Sequence, residues 1–465
     1  MRRISAWPRR GLAPVLVACG LLGALSGCAG PKRVPPVATG PRIPPETRPE
    51  PGVPALLGVG LVENADELVV SGLGPARLLD AADGRLLADL GGGEKVTLGR
   101  DGAVVRWRTP SGSGRAENIV LRPNDVSTRV HHGEHEYRGE LQVFGSPRGG
   151  GLTLVNAVDL ESYLKGVVPW EIGRHGPEKM AALQAQAIAA RTYTVSHLGA
   201  RRERGFDLFA SVMDQVYKGA DGEDPRCNEA VDSTAGLVLR HADEEIEAYY
   251  SACCGGVSSA IEEVWARGGR PYLAVANDVP DDGSAAYCAE SAHFHWRETW
   301  TIGQLEDIVA ETLPEYLDWL AESPQRQAWA GPVFTPRSGA SNARRPGRVW
   351  NLEITDRTTS GRVAALEIST DAGVYTVRGD RTRWVLRPVS GHPFIMRSAL
   401  FDLELERDGT RLTRVATRGR GYGHGIGLCQ TGALARAARG QTFAEILAHY
   451  YPGARLMAAG AGGAP

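Results

Sequence analysis

Glu171 follows Val167-Val168-Pro169-Trp170 and precedes Ile172, so its carboxyl is set among apolar side chains. A carboxyl deprived of water titrates higher than in solution, which suits it to give and take a proton near neutrality. Hydrolysis of a glycosidic bond ordinarily needs a second carboxyl across the bond. The neighbourhood offers none, because Glu161 and Glu178 read as surface or helix-start residues. Taken from its neighbours alone, Glu171 reads more readily as a structural carboxyl packed beside Trp170.

A second cluster lies near the C-terminus. Gly419, Gly421, Gly423, Gly425 and Gly427 alternate around Tyr422 and His424, with Cys429 and Gln430 just beyond. Alternating glycines allow positive φ and close approach of a backbone to a ligand. The spacing is not that of a dinucleotide fingerprint, and no Walker-type lysine follows, so nucleotide binding is disfavoured. The loop reads either as a tight turn stacked on the core or as one wall of a glycan groove, with His424 and Gln430 as hydrogen-bonding groups. Tyr193, Tyr217, Tyr250, Tyr422 and Trp170 are candidates to stack on sugar rings. Gln186 and Arg191 either reach such a cleft or serve as a packing amide and a helix-surface charge. A Cys429–His424 nucleophile pair, five residues apart, is a further alternative.

Cys253, Cys254 and Cys288 precede His293 and His295. The spacing lacks C-x-x-C, and a Cys254–Cys288 disulfide suits an oxidising compartment better than zinc; free thiols are a third reading, and a zinc hydrolase built on these groups is a separate possibility. Cys227 and Cys429 have no assigned partner.

The elements that must position these groups are mixed. Pro177-Glu178 opens a helix in which Met180, Leu183, Ala187 and Ala190 form one buried stripe. Strands are expected over 139–144 and 151–158. Residues 57–130 alternate short apolar runs with turns such as Asp83-Gly84 and predict a small all-β domain. Residues 301–416 read as a β-rich insertion with one helix near 302–322. Thr442 and Glu445 form a capping box for the last helix, which Pro452-Gly453 ends. The tail 456–465, rich in Ala and Gly, is expected to be disordered. The fold class is α+β and strand-rich.

The 465 residues allow several domains. Lys plus Arg is 52 and Asp plus Glu is 54, a net charge of −2, so no basic field for nucleic acid exists. Arg2, Arg3, Arg9 and Arg10 precede an apolar stretch, Gly11 to Leu25, too short to span a bilayer comfortably. Leu25-Ser26-Gly27-Cys28 then resembles a bacterial lipobox, which makes 1–27 a signal peptide and Cys28 a lipidated residue. Ala29 in place of Asp suggests the periplasmic face of the outer membrane in a Gram-negative cell. Nine prolines between 31 and 54 make 28–56 a semi-extended tether. The mature chain is expected to be extracytoplasmic, held to the membrane through its lipid alone.

Five stretches, in order, resemble the SpoIID/LytB family of peptidoglycan-active proteins. They are Tyr163 to Glu171, Leu183 to Tyr193, Gln215 to Gly219, Tyr249 to Gly256 with Val264-Trp265 and Pro271-Tyr272-Leu273, and Gly423 to Ala433 with His449-Tyr450-Tyr451. The match covers roughly 136–455, with a β-rich SpoIID-like core and helices beside the cleft. The resemblance implies a lytic transglycosylase that cuts glycan strands stripped of stem peptides, with Glu171 as its one acid and base and the sugar's own 6-hydroxyl as nucleophile. It implies a groove that adds Gln215 and Ser251 to the side chains named above. Other family members are described as amidase enhancers, so a non-catalytic glycan-binding stimulator of a cell-wall amidase is the alternative. Some members carry a metal near the cysteine region. Here Ser251 stands where those relatives have histidine, and no cofactor is expected.

Overall fold

The computed structural model describes residues 56–338, 342–389 and 394–459. The leader expected over 1–27, Cys28, the tether up to 55, and residues 460–465 of the tail lie outside these residues.

Two hydrophobic cores organise the chain. The first draws on residues from Leu57 to Tyr451. It lies against a seven-stranded sheet in which Leu57–Ala65, Leu152–Val158, Glu140–Gly145, Asn118–Pro123, Ala76–Asp80 and Leu86–Leu90 follow one another, with Leu208–Phe209 outside Leu57–Ala65. The stretch 57–130 is therefore not a separate domain. Leu57 pairs with Val158 and Leu121 with Leu141, so its strands join those of 140–158 in one sheet. A six-stranded sheet centred on Glu67–Gly72 and Lys95–Asp101 completes this region.

Helices α1 (Leu160–Glu171), α2 (Met180–Ser196) and α3 (Pro225–Ser233) pack beside the sheet. The α1 helix starts where Asp159 accepts the Ser162 N–H at 2.9 Å. Pro169 sits inside its last turn, where its missing N–H weakens further propagation. The helix ends at Glu171. The α2 helix was expected to bury one stripe; instead its residues from Leu183 to Thr194 all lie out of solvent except Gln184. A helix apolar all round belongs at the centre of a fold, and here it touches α1, α3 and the C-terminal helices.

Arg191 follows from that position. Its guanidinium is fully buried, donates twice to Glu161 (2.8 and 2.6 Å), and also reaches the carbonyls of Leu237 and Val231. It is an internal tie and does not line a cleft, contrary to one reading of the sequence.

A short helix α4 (Ile261–Val264) precedes the second core, which spans Trp296 to Val415. Here α5 (Ile302–Ala321), α6 (Pro324–Ala330) and α7 (Arg381–Val385) cover a four-stranded and a three-stranded antiparallel sheet. The chain then returns to the first core. Tyr250–Ser251 pairs in parallel with Leu428–Cys429, and α8 (Gln430–Ala438) and α9 (Phe443–Tyr450) follow. The Thr442–Glu445 capping box is present. The expected disordered tail begins as a strand instead: Arg455–Ala458 pairs with Leu237–Arg240, because the edge of Leu237–His241 offers it a backbone partner. No helix among the described residues is long and apolar enough to cross a membrane.

If Arg191 is a structural tie, Arg191→Ala leaves Glu161 half-buried without its partner and costs about 3 kcal/mol. Arg191→Lys recovers little, because one ammonium cannot replace a bidentate fork. Denaturant unfolding reads both effects.

Candidate active site

Glu171 sits at the C-terminal end of α1, where the helix dipole is negative. The Val216 N–H donates to its Oε1 at 2.7 Å, and the Gln430 amide lies near enough to stabilise the carboxylate as well. Both groups favour the ionised form, yet burial outweighs them and pushes the carboxyl up to about 7. No charged group contributes to the shift. The carboxyl is only partly exposed, and next to it Trp170 is 43% exposed with the Arg174 guanidinium 5.3 Å from its ring centre. An apolar-set acid beside an open indole face is suited to a sugar bound across both.

The floor behind Glu171 is a network of phenols and amides. Gln215 is buried and fully used: its Oε1 accepts from Tyr163 (3.0 Å) and Thr194 (2.8 Å), and its Nε2 donates to the Ala190 carbonyl (3.2 Å) and to the Tyr250 hydroxyl (2.9 Å). Because Tyr250 accepts that bond, its own O–H is left to donate. Glu171's charge further opposes ionisation of Tyr163 and Tyr250, which burial already holds protonated. Gln430 Nε2 also donates to Gln186 Oε1 at 3.3 Å, which links α8 to α2. Gln186 Nε2 and Ser251 Oγ are buried and have no partner among the described residues.

Other expected groove residues lie elsewhere. Tyr217 is internal: its hydroxyl donates to Asn156 Oδ1 at 2.8 Å, and its ring packs where a Gly166 side chain would stand. Tyr193 stacks on His197 at 3.9 Å between centres and donates to Asp214, which Arg201 and the Phe209 N–H also hold. Tyr422 packs on His293. His424 accepts the Ile426 N–H at Nδ1 (3.0 Å), and burial pushes it down to about 4, so it is a neutral imidazole held by backbone. Gly421, Gly423, Gly425 and Gly427 all have positive φ, and a side chain at Gly427 would lie 2.1 Å from the Tyr249 carbonyl. That close approach seats the loop against Tyr249–Ser251.

The sequence reading missed Tyr163, the Val216 amide, Arg174 and the aromatic pair Tyr249–Trp265. Tyr163 lies in the same helix as Glu171, eight residues earlier, which was the available signal.

The cysteines form a different arrangement from the one expected. Cys254 and Cys288 are free thiols with sulfurs 3.6 Å apart. Asp278 and Cys429 join them, with all four ligand atoms buried and within 4.8 Å of one another. A tetrahedral zinc with bonds of about 2.3 Å separates its sulfurs by about 3.8 Å, so the donor set and spacing fit a thiophilic cation. Asp278 is oriented for it. Its Oδ1 takes Arg436 (3.0 and 3.2 Å) and Tyr450 (2.8 Å), while Oδ2 faces Cys254 Sγ at 3.5 Å. Cys429 Sγ accepts the N–H groups of Cys254 and Gly432. His293 and His295 are not part of this set. Burial raises the Cys429 thiol, and no hydrogen bond joins it to His424, so these two do not form a nucleophile–base pair.

The Glu171 shift has a stability consequence. Between pH about 4.5 and 7 the native chain holds a proton that the unfolded chain releases, so stability falls as pH rises through that window. The loss is about 2–3 kcal/mol. Glu171→Gln removes it. The variant's denaturation midpoint relative to wild type is expected to be higher at pH 8 than at pH 5, and an equal difference at both would contradict the burial argument.

Residues 148–241 match a family model described as stage II sporulation protein, and residues 333–427 match one described as a domain of unknown function. The chain is 27% identical over 382 residues to the amidase enhancer of Bacillus subtilis (strain 168), covering 77% of this chain and 50% of that protein. It thus spans about half that relative's length. It is 28% identical over 322 residues to the stage II sporulation protein D of the same organism, covering 66% and 77%. An uncharacterised protein of Brachyspira hyodysenteriae is 26% identical over 323 residues, covering 69% and 72%. Residues 148–241 thus carry the stage II sporulation protein domain, and with its motifs assembled around Glu171 the chain is similar to the proteins of the SpoIID/LytB family.

Proposed function

We propose that this protein is an extracytoplasmic, lipid-anchored remodeller of the bacterial cell wall, specifically a lytic transglycosylase acting on peptidoglycan strands without stem peptides. The observation that carries this reading is the solitary Glu171: partly open, pushed up to about 7 by burial, and with no charged group contributing to that shift. One carboxyl suffices for this chemistry. Protonated Glu171 gives its proton to the glycosidic oxygen as the bond to C1 breaks, and the departing sugar leaves as an alcohol. The carboxylate then takes the proton of the 6-hydroxyl on the retained sugar while that oxygen bonds to C1. The product is a 1,6-anhydro-muramyl end, and no water is consumed. The half-exposed Trp170 indole supports this reading as a stacking face, and the Tyr250 O–H, left free to donate, supports it as a hydrogen-bond donor to a sugar.

The second reading, a non-catalytic glycan binder that stimulates an amidase, is supported by the relative that bears the name amidase enhancer. Mass spectrometry of purified stem-free strands separates the two. Anhydro-muramyl ends from wild type and none from Glu171→Gln, a loss of at least a hundredfold, support the enzyme. Intact strands with both proteins, with binding retained, support the enhancer. For the enzyme, kcat/KM declines as pH rises through about 7, because the acid must be protonated.

We further propose that Cys254, Asp278, Cys288 and Cys429 hold a structural zinc-like ion. Four protein ligands leave no open position, so such an ion supplies fixation of the loop ahead of Gln430 and no reactive water. Elemental analysis of the purified chain is expected to show about one ion per molecule, lost in Cys288→Ser. A Cys254–Cys288 disulfide would instead give no ion and two fewer titratable thiols under denaturing conditions.

A further inference from the structure

A cleft of about 340 Å³ lies between the α4 end of the first core and helices α5, α6 and α7 of the second. Four of the chain's ten tryptophans line it: Trp265, Trp319, Trp329 and Trp384. Arg381 is seated among them, 3.7 Å from the centre of Trp319 and 5.1 Å from that of Trp384, and Arg326 lies 4.6 Å from Trp319. Arg326 is paired with Glu322. Arg381 has no ion-pair partner among the described residues. Nor do Trp265, Trp319 and Trp329 have an acceptor for their indole N–H among the described residues, and none of these groups is sealed from solvent. Trp384 is 36% exposed.

This cleft adjoins the wall of the catalytic site. Trp265 packs on Tyr249 (4.8 Å) and His424 (5.1 Å), and Tyr249 continues to Tyr193 and thence Tyr250. Indole faces suit the apolar faces of sugar rings, and free indole N–H groups suit their hydroxyls. A neutral glycan calls for nothing more. An unpaired guanidinium fixed between the rings adds a demand for a carboxylate. A strand without stem peptides presents such a group, the free lactyl carboxylate on every second sugar, and a strand with stem peptides has it blocked as an amide.

We propose that the Trp265–Trp319–Trp384–Arg381 cleft is an anionic-sugar subsite that selects glycan strands carrying free lactyl carboxylates. The proposal rests on the transglycosylase reading for its substrate, while its measurement does not depend on cleavage. Full-length wild type, Arg381→Gln, Arg381→Lys and Trp384→Ala are titrated calorimetrically with three oligosaccharides of equal length. These are stem-free alternating strands, the same strands with carboxylates methyl-esterified, and neutral chitooligosaccharide. Wild type is expected to bind the free-carboxylate strand about tenfold tighter than the ester. Arg381→Gln should lose that preference while binding the chitooligosaccharide as wild type does, and Trp384→Ala should weaken all three. Equal wild-type affinity for acid and ester overturns the proposal. So does an Arg381→Gln chain that still prefers the acid. If Arg381→Gln fails to fold, the wild-type acid-to-ester ratio and Trp384→Ala decide. Strand cleavage with no acid preference removes the subsite and leaves the enzyme; an acid preference without cleavage does the reverse.

Discussion

The exclusion of water from the Glu171 carboxyl is the constraint on which the rest of the structure depends. A shift from 4.5 to about 7 corresponds to about 3 kcal/mol held against ionisation. The Val216 and Gln430 donors pull the other way and set the upper limit of the shift. More burial would hold the carboxyl protonated far above neutrality, and less would leave it ionised there. Placing the carboxyl at the end of α1, beside Pro169 and under the open Trp170, keeps it between these limits.

That placement needs a rigid floor, and the floor is polar. Gln215 binds four groups from three segments, and Gln430 joins α8 to α2. In a low-dielectric interior a satisfied amide fixes geometry more sharply than apolar packing does. The exceptions are informative. Gln186 Nε2 and Ser251 Oγ lack partners among the described residues, and buried groups in that condition are commonly answered by water or ligand.

Glu171 stood out as a candidate through the ordered motifs around it, because an acid in an apolar run has by itself an ordinary structural explanation. The Thr442–Glu445 cap and the helix near 302–322 were legible because their signals are local. Arg191 was not: a helical pattern shows which residues share a face, and α2 has no solvent face over most of its length, so an arginine there had to meet Glu161. The strands of 57–130 were visible as strands, yet period-two alternation does not say which sheet they join, and they joined that of 140–158. The strand Arg455–Ala458 depended on an edge more than two hundred residues earlier. The cysteines were read in pairs along the chain, whereas their grouping with Asp278 exists only after folding.

The parallel pairing of Tyr250–Ser251 with Leu428–Cys429 has a temporal consequence. The Thr431 hydroxyl bonds the Ala252 carbonyl across 179 residues, and the whole second core is threaded between them. Closing so long a loop is slow and comes late, after the intervening region has gained structure of its own. Glu171 is made well before the segment 428–431 that closes over it, so a chain halted between them carries the carboxyl without the segment that packs beside it.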